Sequence, residues 1–247
     1  MRLNLRLPLR FGAWLVALVC AAGLLAGCSR ERLHQQESYV FGTRVEVLTW
    51  DASEDRSRAA VADVLREFDR LHRAYHAWEP SELTALNDAI AAGRKDIPVS
   101  PELAAMLTDA KAIAATGDEL FDPALGALIA LWGFHTDTFK AVTPDPAKLA
   151  ATIAAHPQMA DLSIAGDRVT SRNPAVQLDL GGYGKGYALD RAAAILKARG
   201  VTNALINIGG NVLALGSKGD QPWRVGIQHP REPRPLATLP LRDGEAI

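Results

Sequence analysis

The chain has 247 residues, 48% hydrophobic and 22% charged, which is ordinary globular composition with room for a sizeable core in one or two domains. Its formal charge of −1 lacks the basic footprint of a nucleic-acid binder, so nucleic acid is excluded as a partner class. There are two cysteines, Cys20 and Cys28, both within the first 28 residues.

The N-terminus reads as a leader rather than as part of the fold. Arg2, Arg6 and Arg10 form a basic segment, residues 11–29 carry no charge, and "LLAGC" closes the run at Cys28. Leu25-Ala26-Gly27-Cys28 resembles the bacterial lipobox, in which cleavage precedes a lipid-modified cysteine; the alternative is an uncleaved membrane anchor. The lipobox reading predicts residues 1–27 as signal peptide, 28–38 as tether and a periplasmic chain anchored through lipid at Cys28. Removing residues 1–27 removes three arginines and no acids, moving the formal charge from −1 to −4. The mature chain then has no disulfide, zinc cluster or thiol nucleophile to offer.

Downstream, "YVFGTRVEVLTW" alternates like a strand interrupted at Gly42-Thr43. Val61, Val64, Leu65, Phe68, Leu71 and Tyr75 share one face of a helix over residues 53–75, with Ser53 as a cap. Ser100-Pro101-Glu102 opens a second helix that ends at Gly117, and Asp145-Pro146 opens a third, closed by His156-Pro157. "LSIAGDRVTSR" reads as paired β runs, a third β run follows Asn173-Pro174, and Tyr187–Arg199 reads as a helix stopped by Gly200. "NALINIGGNVLALG", "PWRVGIQHP" and "PLATLPL" add further strands. The pattern predicts an α/β (α+β) class: a single domain over residues 39–247 with a mixed β-sheet flanked by helices. Arg242-Asp243-Gly244 looks like a hairpin turn and Glu245–Ile247 the start of a returning strand, so the chain reads as a C-terminally truncated fragment.

"LDLGGYGKGYALD" places Gly181, Gly182, Gly184, Gly186 and Lys185 between a strand and a helix. Bare backbone N–H groups, a helix N-terminus and a lysine suit a phosphate. The spacing matches neither a P-loop nor G-x-G-x-x-G, so a structural turn is the competing reading. His72 and His76 stand at the i, i+4 spacing of a zinc pair but lack the H-E-x-x-H glutamate and an obvious third ligand, so they read as solvated, and no G-x-S-x-G elbow supports a hydrolase triad. Asn207, Gly209, Gly210 and Asn211 are explained by a hairpin turn as readily as by a site.

Six ordered blocks, "FGTRVEV", "HAWEPSELTALN", "LFDPALGALIALWGF", "LDLGGYGKGYALDRA", "NALINIGGNVLALG" and "WRVGIQHP", resemble the ApbE family, the FAD:protein FMN transferases. The resemblance implies FAD as substrate, Mg²⁺ as cofactor, and transfer of FMN to a threonine or serine hydroxyl of a target flavoprotein of the membrane redox-complex type, with release of AMP. Hydrolysis of FAD to FMN and AMP, or FAD binding without turnover, are the alternatives. By position it implies Asp179 and Lys185 as catalytic and nucleotide-contacting residues, and Gly182 as a metal ligand through its carbonyl, with further ligands beyond residue 247. It implies flavin-nucleotide contacts at Leu120, Phe121 and Asp122, although Leu120 and Phe121 read equally as core and Asp122 as a cap. Trp78 falls at the base-stacking aromatic, and Phe41 takes the place usually held by Met before Gly-Thr.

Overall fold

Alternating burial along one strand pair organises the first layer. The computed structural model describes residues 31–247 except Ala52, Glu119, Asp137 and Phe139. Strands β1 (Arg32–Val40) and β2 (Thr43–Asp51) form an antiparallel hairpin with Val40 opposite Thr43. On β2, Val45, Val47, Thr49 and Asp51 point inward. β6 (Ala204–Ile208) pairs with β2, setting Val45 opposite Ile208 and Val47 opposite Ile206, and β7 (Asn211–Leu215) completes the order β1-β2-β6-β7.

Helix α1 (Glu54–Ala74) starts where the Ser53 hydroxyl accepts the Arg56 N–H at 3.2 Å, with Glu54 and Asp55 favouring the positive end of the helix dipole. Its stripe Val61, Val64 and Phe68 packs with Ala188, Ala192 and Leu196 of α6 (Gly181–Ala198) against Val45, Val47, Ile206 and Ile208. The opposite face of the sheet is covered by the hairpin of β8 (Trp223–Gln228) and β9 (Pro235–Leu241), where Trp223 and Leu241 meet Leu205, Val212 and Ala214. Cover on both faces is why β6 and β7 are nearly continuous apolar runs.

A second core lies beside the first. Helices α2 (Glu82–Ala91) and α3 (Pro101–Thr116) bury Leu83, Leu86, Ile90, Leu103 and Leu107 together with Met159, Val169 and Leu178. The associated small sheet has the order β3-β5-β4, formed by β3 (Ile97–Pro98), β4 (Leu162–Ala165) and β5 (Arg168–Ser171). α4 (Gly126–Leu131) and α5 (Pro146–Ala155) complete the helices; α5 has Asp145 as N-cap and left-handed His156 as C-cap.

The α+β class holds, with several local corrections. Every named ladder among the described residues is antiparallel, so the predicted mixed sheet is replaced by three antiparallel ones; the isolated Leu125–Gln177 bridge is parallel. Residues 32–38, read as tether, pair along β2. The β run predicted after Asn173-Pro174 is an extended segment outside the sheets. The glycine stretch is the beginning of α6, not a turn before it: the helix starts at Gly181 instead of Tyr187, and none of its glycines has positive φ. Helical glycine costs about 1 kcal/mol against alanine, which is why propensity argues against a helix there. The Arg242–Glu245 turn directs the chain onto the free edge of β7, where Ile247 exchanges backbone hydrogen bonds with Val212 at 2.7 and 2.9 Å, rather than back along β9. Residues 1–27, read as a leader, and Cys28 lie outside the described residues.

The two cores are joined at one carboxylate. Glu102, in the first turn of α3, accepts both guanidinium nitrogens of Arg70 at 2.8 Å, the Tyr75 hydroxyl at 2.7 Å and the Tyr187 hydroxyl at 3.0 Å. Tyr75 and Tyr187 pack against both cores. Arg70 above all, with the two phenols, outweighs burial and holds the Glu102 carboxyl at about 2, down from 4.5. Because the folded value is the lower one, this stabilisation is present above pH 4.5 and is lost as pH falls towards 2. Glu102→Gln should lower stability at pH 7 by about 1.5–3 kcal/mol in urea melts. The gap to wild type should narrow by pH 2–3; a constant gap would contradict the assignment.

Candidate functional site

The segment carrying Asp179 belongs to none of the sheets; its backbone is held by the isolated bridge at Gln177 and by side-chain bonds. The Asn87 side chain donates to the Leu178 carbonyl at 2.9 Å and accepts the Leu178 N–H at 2.7 Å. The Asp179 N–H reaches the Pro123 carbonyl at 2.8 Å, and the Gly126 N–H reaches that of Gln177 at 2.7 Å. Gly126 is required by proximity: a Cβ there would stand 2.7 Å from the Gln177 oxygen and 3.3 Å from the Asp179 Cβ.

This rigid approach leaves Asp179 8% exposed at the N-terminus of α6. Its Oδ1 accepts the Gly181 N–H at 2.7 Å, and its Oδ2 accepts Nε2–H of His135 at 2.9 Å. Burial pushes the carboxyl up, but the His135 and Gly181 hydrogen bonds and the nearby His135 and His76 imidazoles outweigh it and hold it below the usual range. Asp179 is therefore a charged, oriented acceptor at neutral pH.

A chain of rings forms one wall. Phe41, at the left-handed tip of the β1–β2 hairpin (φ 57°), packs on Phe68 at 5.7 Å and on His72 at 5.8 Å. Such φ is costly for a bulky residue and persists because its surroundings hold it. His72 meets His76 at 4.9 Å, His76 meets Trp78 at 4.4 Å, and Trp78 stacks on His135 at 5.2 Å with 24° between planes. The Trp78 loop is pinned from within. His76 Nδ1 accepts the Glu79 N–H at 3.1 Å, and Ser81 donates to the His76 carbonyl at 2.7 Å while capping α2 in a box with Thr84.

These elements enclose a cavity of 420 Å³ lined by Phe41, His72, Trp78, Asp179, Gly184 and Lys185 among others. Gly181 and Gly184 leave the first turns of α6 bare on the cavity side, where added bulk at Gly184 would meet only open space. Lys185 is half-buried in the wall and has no ion-pair partner among the described residues. A flat apolar wall, an ammonium and a helix N-terminus together suit a ligand with an aromatic ring and a phosphate.

The structure thus brings together Phe41, Trp78, Asp179 and Lys185. Leu120 and Asp122 stand outside the lining of this cavity. Leu120 is 94% exposed, and Asp122 accepts the backbone N–H groups of Ala124 at 2.8 Å and Met159 at 3.0 Å, acting as the cap that the sequence also allowed. Phe121 reaches the site only indirectly, its ring 3.2 Å from where a Cβ on Gly182 would sit. His76, read as solvated, is 9% exposed. His135 was missed because it has no spacing signature and stands 44 residues from its partner. The sole hint was that a buried aspartate requires a donor from elsewhere.

For Mg²⁺ the described residues are insufficient. No group of three His, Cys, Asp or Glu side chains among them stands close enough to hold a metal. Gly182, in the first turn of α6, supplies a single carbonyl directed along the helix.

The ApbE family model matches residues 41–247. An FAD:protein FMN transferase of Rhodobacter capsulatus is 44% identical over 96% of this chain, and one of Treponema pallidum 31% identical over 94%. The chain spans 46% and 68% of the lengths of those two relatives. Among solved structures, the ApbE protein of Thermotoga maritima superposes with a TM-score of 0.76 at 26% identity, covering 87% of this chain and 69% of its own. The apo Pseudomonas stutzeri flavinyl transferase ApbE shares the fold, with a TM-score of 0.71 at 24% identity over 86% of this chain and 69% of its own. With the family model spanning both cores and the cavity between them, this chain belongs to the ApbE family.

Proposed function

We propose that the chain carries the FAD site of an FAD:protein FMN transferase, which moves FMN from FAD to a threonine or serine hydroxyl of a target flavoprotein. The observation behind this reading is the cavity that joins an aromatic wall to Lys185 and a bare helix N-terminus in a chain of this family. In the proposed reaction the acceptor hydroxyl oxygen bonds to the phosphorus on the FMN side of the diphosphate. The P–O bond to the bridging oxygen breaks, and AMP departs with that oxygen and the electron pair. Lys185 and the N-terminus of α6 lie where negative charge on the phosphoryl oxygens would be stabilised. A carboxyl held below the usual range is a weak base, so Asp179 orients the attacking hydroxyl by accepting its hydrogen bond, and the hydroxyl proton is released to solvent as the new P–O bond forms. The reading includes Mg²⁺, whose ligands these residues do not complete, and none of these steps passes through it.

The deciding experiment incubates the full chain with FAD, Mg²⁺ and a candidate acceptor, then weighs both proteins by mass spectrometry. Covalent FMN on the acceptor with free AMP supports transfer; free FMN without acceptor indicates hydrolysis; intact FAD indicates binding alone. Asp179→Ala should abolish FMN transfer. The variant also loses the Gly181 and His135 hydrogen bonds, at about 1–3 kcal/mol each, so its fold is checked by circular dichroism, and near-wild-type transfer by a folded variant would reject the assignment. Trp78→Ala should weaken FAD binding by about 5- to 100-fold in a fluorescence titration while slowing single-turnover transfer less. Unchanged affinity would exclude Trp78 as the stacking residue.

We further propose a lipid anchor at Cys28 that holds the domain at the periplasmic side of the membrane. Cys28→Ser should shift the protein from the membrane to the soluble fraction and remove acyl mass from the N-terminal peptide. Retention in the membrane would indicate an uncleaved anchor instead.

A further inference from the structure

We propose that His135 is a positioning residue with two separable duties: its Nε2–H holds the Asp179 carboxylate in place, and its ring backs Trp78 so that the indole offers a fixed plane to a nucleobase. The inference rests on the flavin-transfer reading above. His135 belongs to the segment after α4, and its side chain is 11% exposed against 8% for Asp179. It contacts Asp179 Oδ2 at 2.9 Å and simultaneously stacks on Trp78 at 5.2 Å. One imidazole thereby couples two site elements from distant parts of the chain, the Trp78 loop and the start of α6.

His135 acts through these neighbours and not on the ligand. Ala77 and Trp78 line both the main cavity and a second one, whereas His135 lines the second, alongside Asn87 and Gln177, and is absent from the lining of the first. A ligand in the main cavity meets Trp78 and Asp179 while His135 stands behind them. The carboxylate also has a fixed bond on its other oxygen, from Gly181, so the His135 bond removes its remaining rotational freedom. Displacement of a reacting group by about 1 Å can cost 100-fold in rate, which is the scale on which such a restraint acts.

Two substitutions separate the duties. His135→Phe keeps a ring against Trp78 and removes the donor to Asp179. His135→Gln keeps an N–H donor of similar reach and removes the ring. The first should bind FAD within about 2-fold of wild type but transfer FMN about 10- to 100-fold more slowly in single turnover. The second should keep the transfer rate of bound FAD but bind it about 3- to 10-fold more weakly. Variants that match wild type in both measurements, or that lose both equally, overturn the proposal. The hydrogen bond is tested without a variant or flavin by ¹⁵N NMR of the imidazole: the proton belongs on Nε2, and finding it on Nδ1 would overturn that half. If wild type binds FAD but transfers nothing, the transfer reading fails while affinity and NMR still judge His135. A chain that binds no FAD overturns both.

Discussion

The carboxylate of Glu102 is where the two cores of this protein become one. Arg70 and Tyr75 come from the end of α1, Tyr187 from α6 and Glu102 itself from α3. A half-buried charge is costly unless its acceptor positions are filled, and here they are filled by groups from both cores. The same tyrosines line the cavity, so the junction that holds the cores in register also shapes the wall of the site. Arg70 extends the junction to Glu67, which also receives Arg191 of α6 at 3.1 Å, so α1 and α6 are tied at a second point.

The site follows from that junction because its parts belong to different elements. Phe41 comes from a hairpin tip, His72 from α1, Trp78 from the loop before α2, and Asp179 and Lys185 from the entry to α6. Each is held by local interactions that demand particular residues. Gly126 lets the Gln177–Asp179 backbone press against α4, and Asn87 replaces the missing strand partners with two side-chain bonds. The glycines of α6 weaken the helix, and what the chain gains is a bare surface at its positive end beside Lys185. Local stability is given up where access to backbone is useful for an anion.

Amphipathic helices and hairpins were legible in the sequence because they depend on neighbours in the chain. Ser53, Ser100 and Asp145 cap the helices they were expected to cap, and Gly209-Gly210 closes the predicted β6–β7 hairpin. Four of the site residues, Phe41, Trp78, Asp179 and Lys185, were legible through family blocks, and the structure gathers them around one cavity. The partners of Asp179 were not, because His135 and Asn87 reach its segment from 44 and 91 residues away. Leu120 and Asp122 illustrate the reverse: adjacency in a block does not place side chains on one surface, and a bent stretch leaves Leu120 exposed while Asp122 caps backbone N–H groups.

Periodicity and capping chemistry, being properties of a few consecutive residues, settled where most helices and hairpins begin and end and that the class is α+β. Tertiary contact settled the rest. It made a helix of glycines whose propensity argues otherwise, turned a presumed tether into β1 by giving it β2 as partner, and kept residues 176–180 out of any sheet. It also gave Asp179 its charge state and orientation. Those outcomes turn on desolvation and on donors from distant segments, which exist only once the chain has closed on itself.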